Sequence, residues 1–328
     1  MSIDGDGLLT GPGSGSGTPE FQLEDDLDSA TTKSYSVGAL ARRRFLRHRA
    51  AMVSLGVLLF IVIVAFTSDG VGPIPGWWTK NYIDVYPVVN GGRPTLSLFP
   101  LSIGEHPFGQ DTIGKDYFAL VMRGAQRSIL IALLVGMIAT VIGTAVGAAA
   151  GYFRGWVEAF LMRITDLFII IPLLVLAAVL GQIAGSSVLM LAVVLGAVLW
   201  TGLARLVRAE VLSLCEREFV MAARAIGTPA PRIIVRHILP NALGVIVVNA
   251  TLLIASAILI ETVLSFLGFG VKPPDTSLGL LISQYQNALT TRPWLFWWPG
   301  LFILTIALCV NFIGDGLRDA FDPRQKLD

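Results

Sequence analysis

Apolar residues are concentrated in six long runs along the chain, and polar or charged residues fill the stretches between them. A helix of about 20 mainly apolar residues crosses a hydrocarbon core of about 30 Å, so each run is long enough to span a membrane. The pattern predicts an all-α, polytopic membrane protein with six transmembrane helices, at residues 50–67, 128–150, 164–184, 187–207, 243–267 and 296–314.

The composition supports a membrane protein and excludes other classes. Of the 328 residues, 54% are hydrophobic and 14% are charged, whereas soluble domains average about 25% charged residues. A net charge of +1 gives no support for nucleic-acid binding. Two cysteines make no disulfide framework. The three histidines, His48, His106 and His237, are too far apart along the chain to predict a metal site.

Arginine is unevenly distributed, and its distribution predicts the orientation in the membrane. Five arginines within residues 42–49 precede the first apolar run, and such clusters stay on the cytoplasmic side of a membrane. The N terminus is therefore predicted inside. Six spans return the C terminus to the same side, together with Arg318, Arg324 and Lys326. The same count places the arginines between residues 205 and 236 inside.

This topology divides the chain into five regions. Residues 1–37 are rich in Gly, Ser and Asp without an apolar run, and they are predicted to be a disordered cytosolic tail. Residues 38–67 hold the first transmembrane helix, and residues 68–126, with several prolines, form an extracytoplasmic loop. A five-helix core at 127–317, with a cytosolic loop at 208–241, is followed by a cytosolic tail at 318–328.

A charged stretch between the fourth and fifth apolar runs, Glu216–Pro240, is named the arginine-rich loop. Apolar residues at helical spacing predict a helix with a face formed by Phe219, Ala222, Ala223 and Ile226. Gly and Pro residues in Gly227–Pro231 end this helix, and a second short helix from Arg232 is closed by Pro240. Another surface is expected to approach closely at the small residues Ala222, Ala223 and Gly227.

Motif residues occur in a fixed order in this loop: Ala222-Ala223, then Gly227, then Ile238-Leu239-Pro240. This order resembles the EAA loop of permease subunits of bacterial ABC importers, most closely the C-type permeases of the dipeptide/oligopeptide/nickel family. Met221 stands where that family usually has Glu, and Glu218, one turn earlier, is expected to replace part of the missing charge. Further stretches resemble the same family: His106–Asp116, Trp200–Glu210, Leu264–Gly270 and Gly314–Arg324.

The resemblance implies the type I ABC importer permease fold in a bacterial inner membrane. The chain would form half of a translocation path for di- or oligopeptides, with nickel or another small solute as the alternative. Implied partners are membrane lipids, a homologous B-type permease, two cytosolic ABC ATPase subunits that bind ATP and Mg, and an extracytoplasmic solute-binding protein. The chain itself would bind no cofactor. The residues implied to couple it to the ATPases are Glu218, Met221, Ala222, Ala223, Gly227 and Pro240.

Polar residues inside the predicted spans are candidates for the translocation path, because intramembrane polar groups tend to face a bundle interior or a water-filled cavity. They are Asn249, Thr251, Glu261 and Asn311. For Glu261 a structural role, accepting hydrogen bonds from a neighbouring helix or loop, is an equal alternative. Three glycines spaced four residues apart predict a close helix contact, either within the chain or with the partner permease, at Gly143, Gly147 and Gly151.

Two other classes of function, an intramembrane enzyme and a passive channel, fit the sequence less well than an importer permease. An intramembrane enzyme needs a nucleophile–base pair or a metal cluster inside the spans, and the three histidines lie outside them. The sequence has no phosphate loop, HExxH motif or GxSxG motif, so no ATP hydrolysis or other enzymatic activity is predicted for this chain. A passive channel would not need the arginine-rich loop as a docking element.

Overall fold

The computed structural model describes residues 37–321, except residues 72–73, 99–100 and 186. The predicted N-terminal tail, apart from Val37, and the residues after Phe321 lie outside this part of the chain. The helices are α1 (Val37–Arg47), α2 (Arg49–Ser68), α3 (Tyr117–Phe153), α4 (Gly155–Ile170), α5 (Leu173–Ala184), α6 (Val188–Leu199), α7 (Thr201–Leu214), α8 (Glu218–Ala225), α9 (Ala230–Ile233), α10 (Leu239–Phe266), α11 (Leu278–Tyr285) and α12 (Trp294–Phe321). The predicted all-α fold class is confirmed.

Two short hairpins lie in the loop between α2 and α3, which is named the first loop. Strand β1 (Gly70–Val71) pairs antiparallel with β2 (Ile74–Pro75), so that Gly70 lies opposite Pro75. Strand β3 (Ser97–Leu98) pairs in the same way with β4 (Leu101–Ser102), with Ser97 opposite Ser102.

In the part of the chain that the structure describes, four helical segments are long and apolar enough to cross a membrane: α2, α3, α12 and the continuous segment Ala230–Phe266, which includes α9 and α10. Two bent helix pairs raise the number to six if each pair is one span. Among the described residues, α3 is the central helix. It packs against α2, α6, α7 and α10, and its contact with α7 is the most extensive.

Pro172 divides the third predicted span, so the expectation of one helix over 164–184 is wrong. Helices α4 and α5 meet at 90°. Ile171 is extended, with φ −75° and ψ 126°, because the Pro ring clashes with an α-helical residue before it. The fourth predicted span is also bent, by 45° between α6 and α7. With 12 residues α5 is roughly 18 Å long, which is shorter than the hydrocarbon core.

Helix α3, which contains the second predicted span, begins at Tyr117, so the non-helical part of the first loop ends earlier than residue 126. Asp116 caps the helix, because its carboxylate accepts a hydrogen bond of 2.9 Å from the N–H of Ala119. Such a cap typically stabilises a helix by about 1 kcal/mol. The helix contains the whole predicted span, and its first turns precede the apolar run that the sequence pattern identifies.

Pro240 does not close a helix, contrary to the sequence-based prediction. The chain stays helical from Ala230 to Phe266 and passes through a π-helical turn at Ile234–Ile238. The N–H of Leu239 bonds to the carbonyl of Ile234, five residues earlier. Pro240 follows in the first turn of α10, where the missing N–H of a proline is tolerated. The helix therefore continues through the wider π-helical turn and does not end at Pro240.

Candidate functional site

Helix α8 of the arginine-rich loop ends in a turn that requires glycine. Gly227 has φ +77°, a left-handed conformation that glycine adopts at little cost. Its N–H donates to the carbonyl of Arg224 at 3.0 Å, and the N–H of Thr228 donates to the carbonyl of Ala223 at 3.1 Å. These two bonds define a Schellman motif. A Cβ added at Gly227 would meet nothing within 4 Å, so the backbone conformation explains the glycine without any close neighbour.

The two alanines of the motif face different directions. Ala223 is 6% exposed and packs with Val220 and Ile233 in the chain's own core, whereas Ala222 is exposed. The expectation that both alanines belong to one contact surface is therefore wrong, because consecutive helical residues are rotated by about 100°. Three of the exposed apolar residues, Phe219, Ala222 and Ile226, lie at i, i+3 and i+7 on one side of the helix, and they are named the α8 face.

The remaining predicted coupling residues lie on the surface. Glu218, Met221 and Pro240 are all exposed. Glu218 occupies the first turn of α8, where a negative charge interacts favourably with the helix dipole. A cavity of about 630 Å³ opens beside this turn and is lined by Leu214, Glu216, Arg217, Glu218, Phe219 and Asn241. The α8 face and this cavity together give the loop an accessible surface of mixed apolar and charged character.

Contacts that the sequence did not reveal fix the arginine-rich loop to the rest of the chain. The guanidinium of Arg224 lies 4.7 Å from the ring centre of Tyr152, near the end of α3. Its Nη2 also donates to Sγ of Cys215 at 3.4 Å. Ile233 and Ile238 are fully buried in the same cluster as Val207 of α7. The loop is therefore held as one body with the ends of α3 and α7.

The three spaced glycines of α3 all face α7 of the same chain. A Cβ on Gly143, Gly147 or Gly151 would lie 2.9, 2.5 and 2.9 Å from the carbonyl oxygens of Trp200, Ala204 and Arg208, respectively. These distances are too short for a real Cβ, so the two helix backbones touch directly, as small residues permit. The close helix contact predicted at these glycines is therefore made within the chain, between α3 and α7.

Two ion pairs join α4 to α7 next to this glycine contact. Arg208 binds Glu158, with 2.7 Å between Nε and Oε1. Arg205 binds Asp166, with 2.5 Å between Nη2 and Oδ1. Both pairs are partly exposed, so their main effect is to fix the orientation of α4 rather than to add much stability.

Glu261 is completely buried in this structure. Its side chain is 0% exposed. The carboxylate accepts hydrogen bonds from Oγ of Ser128 at 2.9 Å and from Oγ of Ser265 at 2.7 Å. Oγ of Ser128 in turn accepts the N–H of Leu278 at 3.3 Å. The network joins α3, α10 and the start of α11, which corresponds to the structural alternative.

The other three polar span residues are half-buried and bond within their own helices. Asn249 donates to the carbonyl of Val245, Thr251 to that of Val248 and Asn311 to that of Ala307, at 2.8, 2.7 and 3.0 Å. Thr251 also faces α12, because a Cβ on Gly314 would lie 2.9 Å from its hydroxyl oxygen. The structure does not gather these residues into one site, and their place on a translocation path stays a prediction.

Comparison with known proteins identifies the family. Residues 143–327 match the family described as binding-protein-dependent transport system inner membrane component. The chain belongs to this family. Residues 36–82 also match the N-terminal TM domain of oligopeptide transport permease C. The resemblance drawn from the sequence motifs is therefore confirmed, and the chain is a multi-pass permease of the inner membrane.

Individual relatives cover nearly the whole permease. It is 40% identical over 304 residues to the oligopeptide transport system permease protein OppC of Salmonella typhimurium, covering 93% of this chain and 97% of that protein. It is 38% identical over 297 residues to OppC of Mycobacterium tuberculosis, covering 90% and 97%. A structure of the MetNI methionine ABC transporter in inward-facing conformations shares the fold, with a TM-score of 0.52 and 21% sequence identity. The superposition covers 63% of this chain and 98% of the transporter chain.

The motif His106–Asp116 forms a buried junction between the first loop and α3 of the permease. Nδ1 of His106 lies 2.7 Å from Oδ1 of Asp116, and Nζ of Lys80 lies 2.9 Å from Nε2 of His106. An ammonium group can only donate, so Nε2 accepts and Nδ1 carries the hydrogen that Asp116 accepts. Nε1 of Trp78 donates to the second oxygen of Asp116 at 2.8 Å. The sequence motif contains His106 and Asp116, but it indicates neither their pairing nor the contacts with Lys80 and Trp78.

A second charged cluster lies at the same end of α3. Arg123 binds Asp69 at 3.3 Å and Asp275 at 3.0 Å, and Arg127 binds Asp275 at 2.7 Å. Burial raises the pKa of Asp69 above its ordinary value, and the nearby Arg123 opposes this shift. Within the described ranges, no three His, Cys, Asp or Glu side chains come together as a potential metal site.

Proposed function

We propose that this permease is a subunit of an ATP-driven importer and forms half of a translocation path for di- or oligopeptides. The observation that carries the proposal is the match over at least nine-tenths of the chain to relatives named as oligopeptide transport permeases. Import of nickel or another small solute through the same architecture is the alternative. The permease would catalyse no reaction itself.

The α8 face is proposed as the contact with an ABC ATPase subunit. Phe219 and Ile226 are 41% and 83% exposed, and a cluster of exposed apolar residues outside the lipid favours a protein partner. The charged cavity beside Glu218 would receive polar groups of the same partner. ATP and Mg would bind to two such ATPase subunits, and a homologous permease and an extracytoplasmic solute-binding protein would complete the assembly.

The arginine-rich loop is built to transmit a movement of the ATPases. Because Ala230–Phe266 is one continuous helical segment, a displacement of α8 and its turn would pass directly into α10. The Arg224–Tyr152 contact would pass it to α3. ATP binding would thus shift the permease between inward-open and outward-open forms as a rigid-body change. In this arrangement both termini and the loop are cytosolic, and the first loop is extracytoplasmic.

The substitution Ala222→Arg, in the complete reconstituted transporter, tests this function. A long cation on the α8 face would be buried against the ATPase without a partner. Leaving a charge buried and unpaired, as when one member of a buried ion pair is removed, costs about 3–5 kcal/mol. We expect the variant to lose co-purification of the ATPases and uptake of a labelled tripeptide. Ala222→Ser is the matched control and should retain both.

Two results would contradict parts of the proposal separately. Normal uptake by Ala222→Arg would show that the α8 face is not the ATPase contact. Uptake of radioactive nickel, with no uptake of labelled di-, tri- or pentapeptides by the unchanged complex, would overturn the peptide cargo and leave the importer assignment intact.

A further inference from the structure

A strongly basic surface lies where the chain enters its first span. Arg42, Arg43, Arg47 and Arg49 are all exposed, and they are named the basic surface. The sequence has no Asp or Glu between Asp28 and Asp69. The cations are therefore not balanced by acidic residues of their own helix. The mechanism proposed for the arginine-rich loop does not use this surface.

Helix α1 is a separate element and not an extension of the span. His48 between α1 and α2 is extended, with φ −77° and ψ 98°, and it caps α2 by accepting the N–H of Ala51 at 3.1 Å. The same imidazole lies 3.4 Å from Asp319 in the last turn of α12. A Cβ on Gly316 would lie 3.4 Å from the ring of Phe45 and 2.4 Å from Cβ of Ala51. One side of α1 is thus held against α12.

The opposite side of α1 combines cations with an apolar side chain. Leu46 is 55% exposed and lies between Arg43 and Arg47 in the sequence. Arginines beside an exposed apolar side chain suit the interface of a bilayer, where head groups and acyl chains lie next to each other. An exposed Leu at this position is unfavourable in water and favourable at the boundary of the acyl chains.

The basic surface directly precedes the first span, so its arginines lie close to the membrane boundary in the sequence. Helix α2 has 20 residues, which is roughly 30 Å and equals the hydrocarbon thickness. Arg49, its first residue, therefore lies at the membrane boundary. Long Arg side chains reach along such a boundary to the head groups, and the guanidinium binds phosphate oxygens in a bidentate manner.

We propose that the basic surface binds the head groups of anionic phospholipids in the membrane that surrounds the permease. Charge complementarity and continuity with the span carry this assignment. The neutral apolar lipid chains would meet Leu46, and the phosphates would meet Arg42, Arg43 and Arg47. The bound lipid would fix α1, and through His48 and Phe45 the packing of α2 against α12.

The test uses the full-length permease in nanodiscs made from equal amounts of phosphatidylglycerol and phosphatidylcholine. Lipids that stay bound through a mild detergent wash are quantified by mass spectrometry. The native chain is expected to retain phosphatidylglycerol in about threefold excess, and the triple variant Arg42→Gln, Arg43→Gln, Arg47→Gln to lose most of this excess, because polybasic segments attract anionic lipid. The matched control removes three exposed arginines elsewhere: Arg217→Gln, Arg232→Gln, Arg236→Gln.

A second measurement separates lipid contact from general charge. Leu46→Cys carries a fluorophore, and lipids brominated in the acyl chain quench it only at close range. Quenching is expected with brominated phosphatidylglycerol and should fall when the three arginines of α1 are neutralised. The triple Lys variant of the same positions should keep part of the lipid excess. Equal lipid retention by the native chain and the Gln variant, or loss of the lipid excess in the control variant instead, would overturn the proposal.

Discussion

The imidazole of His106 and the carboxylate of Asp116 lie 2.7 Å apart and are 1% and 0% exposed. Asp116 is also the N-cap of α3, through its bond to the N–H of Ala119. One buried carboxylate therefore joins the first loop to the start of the central helix. The contact with the loop and the cap of α3 therefore depend on the same side chain, through its two different oxygens.

Replacing Asp116 by Ala is expected to destabilise the permease strongly. The change removes the helix cap, worth about 1 kcal/mol, and leaves the buried N–H groups of His106 and Trp78 unpaired at about 1–3 kcal/mol each. Thermal unfolding in one detergent measures the loss. The exposed Asp84→Ala is the control and should stay within about 0.5 kcal/mol. Equal unfolding temperatures of the two variants would show that the junction contributes nothing.

The direct contact between α3 and α7 predicts that Gly147→Ala destabilises, although alanine favours a helix. Its Cβ would lie 2.5 Å from the carbonyl oxygen of Ala204 and 2.8 Å from Cβ of Val207. Separating the two backbones should cost about 1–3 kcal/mol. Gly56→Ala is the matched control, since nothing lies within 4 Å of its added Cβ, and it should be neutral or stabilising by up to about 1 kcal/mol. The opposite order of stabilities would contradict the contact.

Substitutions of Gly227 test whether the glycine turn at the end of α8 holds the arginine-rich loop closed. Ala at φ +77° costs about 1–2 kcal/mol, whereas Asn tolerates the left-handed region. Gly227→Ala should therefore open the arginine-rich loop about tenfold more often, which limited trypsin cleavage at its arginines reports. Gly227→Asn and the control Gly202→Ala, which has no neighbour within 4 Å, should be cleaved nearly as slowly as the native chain. Unchanged cleavage of the Ala variant would remove the Schellman motif as a determinant of the loop.

Membrane orientation can be tested with an engineered cysteine, because the native ones are poor reporters. Cys215 is 3% and Cys309 5% exposed, and both are replaced by Ala. Ser213→Cys is exposed on α7 and Thr112→Cys is exposed in the first loop. With the loop arginines inside, an impermeant maleimide should label position 112 in spheroplasts and position 213 only after the membrane is opened. The reverse pattern would invert the proposed topology.

Sequence patterns predict the features of this permease that depend on local composition. Long apolar runs and clustered arginines indicate the apolar helical segments and the position of the arginine-rich loop, because lipid and water select residues segment by segment. The break at Pro172 has a local cause too, but an uninterrupted apolar run on both sides of it conceals the bend. Composition measures how apolar a segment is and not whether it is straight.

Features that depend on distant partners could not be predicted in the same way. Ala222 and Ala223 are equally small and apolar, and only the packing of Val220 and Ile233 decides that Ala223 faces inward. The exposed face then shifts to Phe219, Ala222 and Ile226. Ser128, which holds Glu261, is 133 residues away along the chain. No pattern within a single helix identifies such a partner.

Glu261 permits a test that separates a structural role from a role in transport. Glu261→Leu leaves the buried hydroxyls of Ser128 and Ser265 without an acceptor, and it should cost about 1–3 kcal/mol for each. Glu261→Gln should retain most of the stability, since its amide can accept from one serine and donate to the other. Asn249→Leu, at a half-buried side chain bonded only within its own helix, should be far less destabilising than Glu261→Leu. If the role is structural, the folded Gln variant also transports peptide at nearly the native rate; a folded Gln variant without uptake would show that the charge itself acts on the path.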